Sequence, residues 1–119
     1  MTFKKAVEAD AKGALADDAL YNIGLCYFQL RLPAEALGYF TRVIEEYPKA
    51  TIHATPGAQE FGRTAAKAHL GRLYCRLLLG KRDEAQRELD ELNKYPDSYV
   101  VDGSGRKRTY YELALEALK

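Results

Sequence analysis

The chain has 119 residues, 47% of them apolar, and a net charge of +1 from 18 Lys and Arg against 17 Asp and Glu. That length makes one domain with a modest core, and the apolar share with only four prolines suits a folded chain rather than a disordered one. The balanced charge argues against a broad nucleic-acid or anionic-membrane surface, and apolar runs such as Leu77-Leu78-Leu79 fall far short of the ~20 residues of a membrane span.

Met1 to Ala6 has no apolar signal core before Glu8 and Asp10. A cytoplasmic location is expected for the chain as written, and a periplasmic one if a leader has been removed. Phe3, Ala6, Val7 and Ala11 lie at helical spacing and predict a helix over 2–12, ended by Lys12-Gly13.

The next helix is expected over 17–31. Leu20, Ile23, Gly24 and Tyr27 stand at i, i+3, i+4 and i+7, one face of a 3.6-residue period. Glycine inside a helix costs ~1 kcal/mol against alanine, so Gly24 implies a neighbour that must come close. Pro33 opens the following helix, where its missing N–H is harmless. Ala36, Phe40 and Val43 form the buried stripe, and Tyr47-Pro48 ends it. If Phe40 is fully buried, its truncation to alanine should cost about 3–5 kcal/mol.

Residues 49–58, with Thr55-Pro56-Gly57, read as a loop. Helix is expected again from near Gln59 to about Leu79, with Gly80-Lys81-Arg82 as the turn. Asp83 and Gln86 resemble a capping box. Ala85, Leu89 and Leu92 form the next stripe, and Tyr95-Pro96 stops it. Asp102-Gly103-Ser104-Gly105 reads as a flexible turn. Thr109 with Glu112 is a second capping-box pattern, before a stripe of Tyr110, Leu113, Ala114, Ala117 and Leu118. The expected total is six helices and no strand, Val100-Val101 being too short.

Two of these helix pairs repeat one another. Gly24 and Gly71, like Tyr27 and Tyr74, are 47 positions apart; Ala36 and Ala85, Phe40 and Leu89, Val43 and Leu92 are 49 apart. First helices (A) align with each other and second helices (B) with each other, and the two extra residues are expected at the second A–B turn. The pattern resembles the tetratricopeptide repeat family, closely over 17–48, where its Leu, Ile-Gly, Tyr, Ala, Phe and Pro stand at the family's spacing. It is looser over 64–96, where Lys67 replaces a large apolar residue and Leu89 an aromatic. Residues 2–12 look like the B-helix of a preceding repeat, with Phe3 in the aromatic role, a start that is compatible with truncation of a longer protein. The endings Glu45-Glu46-Tyr47-Pro48 and Asn93-Lys94-Tyr95-Pro96 look similar to those of bacterial envelope members, of the Tol-Pal-associated and outer-membrane-assembly types.

The resemblance implies an all-α, right-handed stack of antiparallel helix pairs in a single domain over 1–119. Its parts would be a partial repeat at 2–12, repeats at 17–48 and 59–96, and a capping helix within 106–119. It also implies a concave groove lined by A-helices. The faces opposite the packing stripes are Asp18, Tyr21, Asn22, Leu25, Phe28 and Gln29 on the first A-helix, and Ala65, Ala68, His69, Arg72, Cys75 and Arg76 on the second. Apolar side chains of an extended peptide would lie on Tyr21, Leu25 and Phe28. Asn22 would bond the peptide backbone, and Arg72 and Arg76 would grip carboxylates. Some family members hold a C-terminal carboxylate with a clamp of Lys, Asn, Asn, Lys and Arg. Asn22 and Arg72 fit that clamp, but Tyr21, Leu25 and Ala68 do not, so it is incomplete.

No catalytic constellation, cofactor or metal site is expected. His53 and His69 have no ligand-spaced Cys, Asp or Glu beside them, and Gly103-Ser104-Gly105 lacks the phosphate-loop spacing. Glu45, Glu46, Asp90 and Glu91 read as solvated, as do Arg106-Lys107-Arg108 beside their turn. Cys26 and Cys75 read as small packing residues, joined in a disulfide only if their Cα atoms approach within about 7 Å. The expected role is a protein–protein interaction module or scaffold that binds a peptide with micromolar affinity, given its short groove. The alternatives are self-assembly, as in a homodimer, and an accessory domain of a larger protein.

Overall fold

A computed structural model of the chain describes residues 16–52 and 59–119. Its elements are α1 (Ala16–Gln29), α2 (Pro33–Glu46), β1 (Glu60–Phe61), α3 (Thr64–Leu78), α4 (Arg82–Leu92), β2 (Tyr99–Val101), β3 (Lys107–Thr109) and α5 (Tyr110–Ala117). The helix expected over 2–12 and the loop residues Thr55-Pro56-Gly57 lie outside the described residues.

The two helix pairs form where the periodicity placed them. Pro33 stands at the start of α2, and α2 ends at Glu46 with Tyr47 as its C-cap. The apolar positions divide into two cores that share α3. One gathers Leu20, Ile23, Ala36, Phe40 and Val43 around Ala68 and Cys75. The other gathers Ala66, Leu70, Leu73, Ala85 and Leu92 with Tyr110, Ala114 and Leu118 of α5. The final helix thus covers the second repeat, and Thr109 and Glu112 form the expected capping box. Thr64 donates a 2.6 Å hydrogen bond to buried Asp17, so the equivalent first turns of the two repeats are tied together.

Gly24 is explained by Phe40. A β-carbon at residue 24 would stand 2.8 Å from the Phe40 ring, and one at Gly71 would stand 2.7 Å from its other edge. One aromatic ring therefore fills the notch that two repeat glycines leave, which draws α1, α2 and α3 together.

Four local expectations are corrected. The two extra residues of the second repeat lie in its A-helix, not in the turn. α1 ends at Gln29, five positions beyond Gly24, while α3 ends at Leu78, seven beyond Gly71. Both turns then span three residues with a left-handed residue in the middle, Arg31 (φ 62°) and Gly80 (φ 78°). Helix does not resume at Gln59, because 60–61 are paired as a strand and α3 starts at Thr64. Asp83 does not cap α4. Gly80 turns the chain early enough for Arg82 to begin the helix, and the cap residue, Lys81, makes no side-chain cap bond.

The fourth correction concerns strands, for a small antiparallel sheet exists in the order β1-β2-β3. Glu60 faces Val100 and Phe61 faces Tyr99; Tyr99 faces Thr109, Val100 faces Arg108 and Val101 faces Lys107. The Asp102–Arg106 turn is a hairpin loop with its own hydrogen bonds. The Asp102 carboxylate accepts from the backbone N–H of Ser104 and of Arg106 and from the Ser104 hydroxyl, and the two backbone bonds are of the kind that lets aspartate favour turns. Those bonds hold the Asp102 carboxyl below the usual range, the Ser104 hydroxyl contributing most. The sheet is locked to the entrance of α3 by Ser98, whose buried hydroxyl accepts from the Arg63 N–H at 2.9 Å.

Candidate functional site

α3 presents two different faces to its neighbours, and each borders a cleft. Leu70 and Tyr74 lie four apart on one face, while His69, Arg72 and Arg76 lie at i, i+3 and i+7 on another. The first face meets α1 in an apolar pocket of about 160 Å³ lined by Tyr21, Leu25, Phe28, Leu70, Gly71 and Tyr74, with Phe40 among its walls. The second meets α4 and Ile44 of α2 in a more open cleft of about 420 Å³.

The apolar pocket is built mostly from aromatic rings. Tyr21 packs on Phe40 with centroids 5.4 Å apart, and Phe28 lies 6.3 Å from Tyr74. Lys67 stands where an apolar residue was expected from the family pattern. Its ammonium lies 4.2 Å above the Tyr21 ring and pairs with Glu60 of β1, so the stem packs while the charge finds a ring face and a carboxylate. Burial, aided by Glu60 and Tyr74, pushes the Tyr21 hydroxyl well above its ordinary range. Asn22 and Gln29 are exposed on the stripe that runs through Leu25, and Asp18 is half-buried one turn before Asn22.

The polar cleft centres on Glu88, whose side chain is 3% exposed. His69 Nδ1 lies 2.7 Å from Glu88 Oε2. Arg72 and Arg76 approach Oε1 at 3.0 and 3.1 Å. A carboxylate only accepts, so Nδ1 carries the imidazole proton. Glu91 on the rim pairs with Lys94 at 3.0 Å, and that hydrogen bond holds its carboxyl below the usual range.

Six of the nine candidate residues divide between these two clefts. Asp18, Tyr21, Asn22, Leu25, Phe28 and Gln29 share α1, and Tyr21, Leu25 and Phe28 border the apolar pocket. His69, Arg72 and Arg76 border the polar cleft instead. Ala65, Ala68 and Cys75, expected on the groove face, are fully buried. His69, read only as lacking a ligand-spaced acid for a metal, has an acidic partner in Glu88 across the turn. Sequence reasoning missed Glu88, although the signal was present: it sits within the Ala85, Leu89 and Leu92 stripe, where a carboxylate requires partners. Leu70 and Tyr74, which stand 47 positions after Ile23 and Tyr27 of the first stripe, also line the pocket.

Among the described residues no group of His, Cys, Asp and Glu is placed to hold a metal ion, and no helix is long and apolar enough to cross a membrane. Both cysteines are free, Cys75 buried and Cys26 half-buried. Of the basic run near the hairpin, Arg108 pairs with Glu116, and Lys107 lies 4.7 Å over the Tyr99 ring.

No curated protein matches the chain. The model of the tetratricopeptide repeat matches residues 18–50 and 69–98, the two segments that hold α1 with α2 and most of α3 with α4. These matches cover more than half of the sequence and coincide with the glycine-aromatic packing just described, and the chain belongs to the tetratricopeptide repeat family.

Proposed function

We propose that this protein is an interaction module that holds a segment of a protein partner on the face shared by α1 and α3. Repeats of this family generally mediate protein–protein interaction. The observation that carries the narrower reading is the apolar pocket between the two A-helices, bordered by Leu25, Phe28 and Tyr74, with exposed amides at Asn22 and Gln29 beside it. An apolar anchor of the partner enters the pocket, and the two amides bond its backbone. A desolvated anchor in a pocket with polar groups around it is how a small interface obtains most of its affinity. The endings at Tyr47-Pro48 and Tyr95-Pro96 favour an envelope-type member within this reading.

The test is affinity capture from lysate of the source organism, with wild type beside an Asn22→Ala/Leu25→Asp variant shown by circular dichroism to be folded. Arg72 is left intact because it holds buried Glu88. A partner retained by wild type and lost by the variant is the expected result. Equal capture removes the α1–α3 face as the site.

Self-assembly is the second reading, and the two A–B turns favour it. Leu30 and Leu32 at the first turn and Leu78 and Leu79 at the second are all exposed. Sedimentation of wild type beside a Leu30→Ser/Leu79→Ser variant separates the readings: mass that rises with concentration in wild type alone supports self-assembly, and a monomer in both rejects it.

A further inference from the structure

The polar cleft between α2 and α4 holds more positive charge than its buried carboxylate balances. Arg72 and Arg76, with side chains 19% and 17% exposed, converge on a single oxygen of Glu88. The other Glu88 oxygen is taken by His69. Each guanidinium carries five N–H donors. Besides Glu88, the partner found for them among the described residues is the backbone carbonyl of Glu84, 3.5 Å from Arg76. The Nε atoms of both arginines are buried without a hydrogen-bond partner. Arg87, exposed on the same cleft, enters no ion pair among the described residues. Three guanidiniums thus border one cleft whose central acid is already engaged, and Glu91 on its rim is engaged by Lys94.

We propose that this cleft is a carboxylate-binding site that takes an acidic side chain of a polypeptide partner. Arg87 meets the incoming carboxylate first, and the unused donors of Arg72 and Arg76 complete its coordination in the planar geometry that guanidinium and carboxylate share. Glu88 is a positioning residue, holding both arginines in place without touching the ligand. The cleft favours a polypeptide over a free anion because its other walls are Ile44 and the Tyr95 ring, which pack against residues flanking the acid. Its volume of about 420 Å³ lies within the range of ordinary ligand sites. The site borders a different face of α3 from the apolar pocket, so it does not rest on the reading above.

The test follows the arginine Nε–H resonances of the whole chain by NMR. The probe is an acetylated, amidated tripeptide of leucine, glutamate and leucine, run beside its glutamine counterpart and inorganic phosphate. Saturable shifts of the Arg72 and Arg76 signals with the glutamate peptide are expected, with binding roughly tenfold or more weaker for the glutamine peptide and in Arg87→Glu. Lys119→Glu, the same charge change at an exposed residue outside the cleft, should leave binding unchanged. No saturable shift, equal binding of the glutamine peptide, or indifference to Arg87→Glu overturns the proposal. An equal response to phosphate overturns the assignment to a polypeptide and leaves a free-anion site.

Discussion

The ring of Phe40, from the first repeat, lies across Gly71 of the second so closely that a β-carbon there would stand 2.7 Å from it. The contact joins the repeats at the level of the backbone, because Gly71 sets no side chain between α3 and the ring. Gly24 receives the other edge of the same ring, so three helices are referenced to one side chain. Phe40 is 1% exposed and cannot turn outward without leaving the core.

Gly71→Ala should therefore destabilise the domain despite alanine's better helix propensity. Overpacking costs typically 1–3 kcal/mol, and the propensity gain returns about 1 kcal/mol, so a net loss centred on about 1 kcal/mol is expected. Urea unfolding measures it, and a variant as stable as wild type would show that the ring shifts freely. Phe40→Ala, which empties the notch, should cost about 3–5 kcal/mol.

Glu88→Ala should cost about 3–5 kcal/mol, the usual effect of removing one partner of a buried ion pair. It leaves Arg72, Arg76 and His69 facing one another without their shared acceptor. Arg72→Glu should destabilise for the same reason, by placing a second carboxylate beside Glu88. Loss of less than about 1 kcal/mol in Glu88→Ala would mean that water replaces the carboxylate at little cost.

The helix pairs were legible because their apolar residues recur at helical spacing over two turns or more. The place of the inserted residues was not, since an offset between repeats counts residues without saying where helical hydrogen bonds stop. The sheet escaped because its strands are two or three residues long, too short for alternation to register. Tyr21, Leu25 and Phe28 border one pocket because they share a helix face. The link from Glu88 to Arg72 crosses the A–B turn between two helices, and helical spacing cannot place side chains across such a turn.

Burial pushes the Cys75 thiol up to about 11, with Arg76 opposing the shift. The reactive form is the thiolate, so near neutral pH native Cys75 should resist thiol reagents, while half-buried Cys26 reacts faster. The sign of the pH effect follows from the raised value. Above the ordinary thiol range of about 8.5, the unfolded chain loses a proton that native Cys75 keeps. Stability should thus fall as pH rises toward about 11. Cys75→Ala should remove that part of the alkaline slope, and an unchanged slope would assign it to other groups.

Arg31→Gly should stabilise the protein. Arg31 and Gly80 occupy the same place in the two A–B turns, both left-handed. In each turn the next residue donates its N–H five positions back, Leu32 to the Tyr27 carbonyl at 2.9 Å and Lys81 to the Arg76 carbonyl at 2.8 Å. This is the pattern in which a helix ends on glycine. The second repeat has the glycine and the first does not. An L-residue in the left-handed region costs about 1–2 kcal/mol, and glycine returns part of that gain through the freedom of the unfolded chain. A net gain of about 0.5–1 kcal/mol is expected, read as a higher urea midpoint with an unchanged slope. Gly80→Ala should do the reverse. If Arg31→Gly instead lowers the midpoint, the arginine side chain makes a stabilising contact that outweighs its backbone cost.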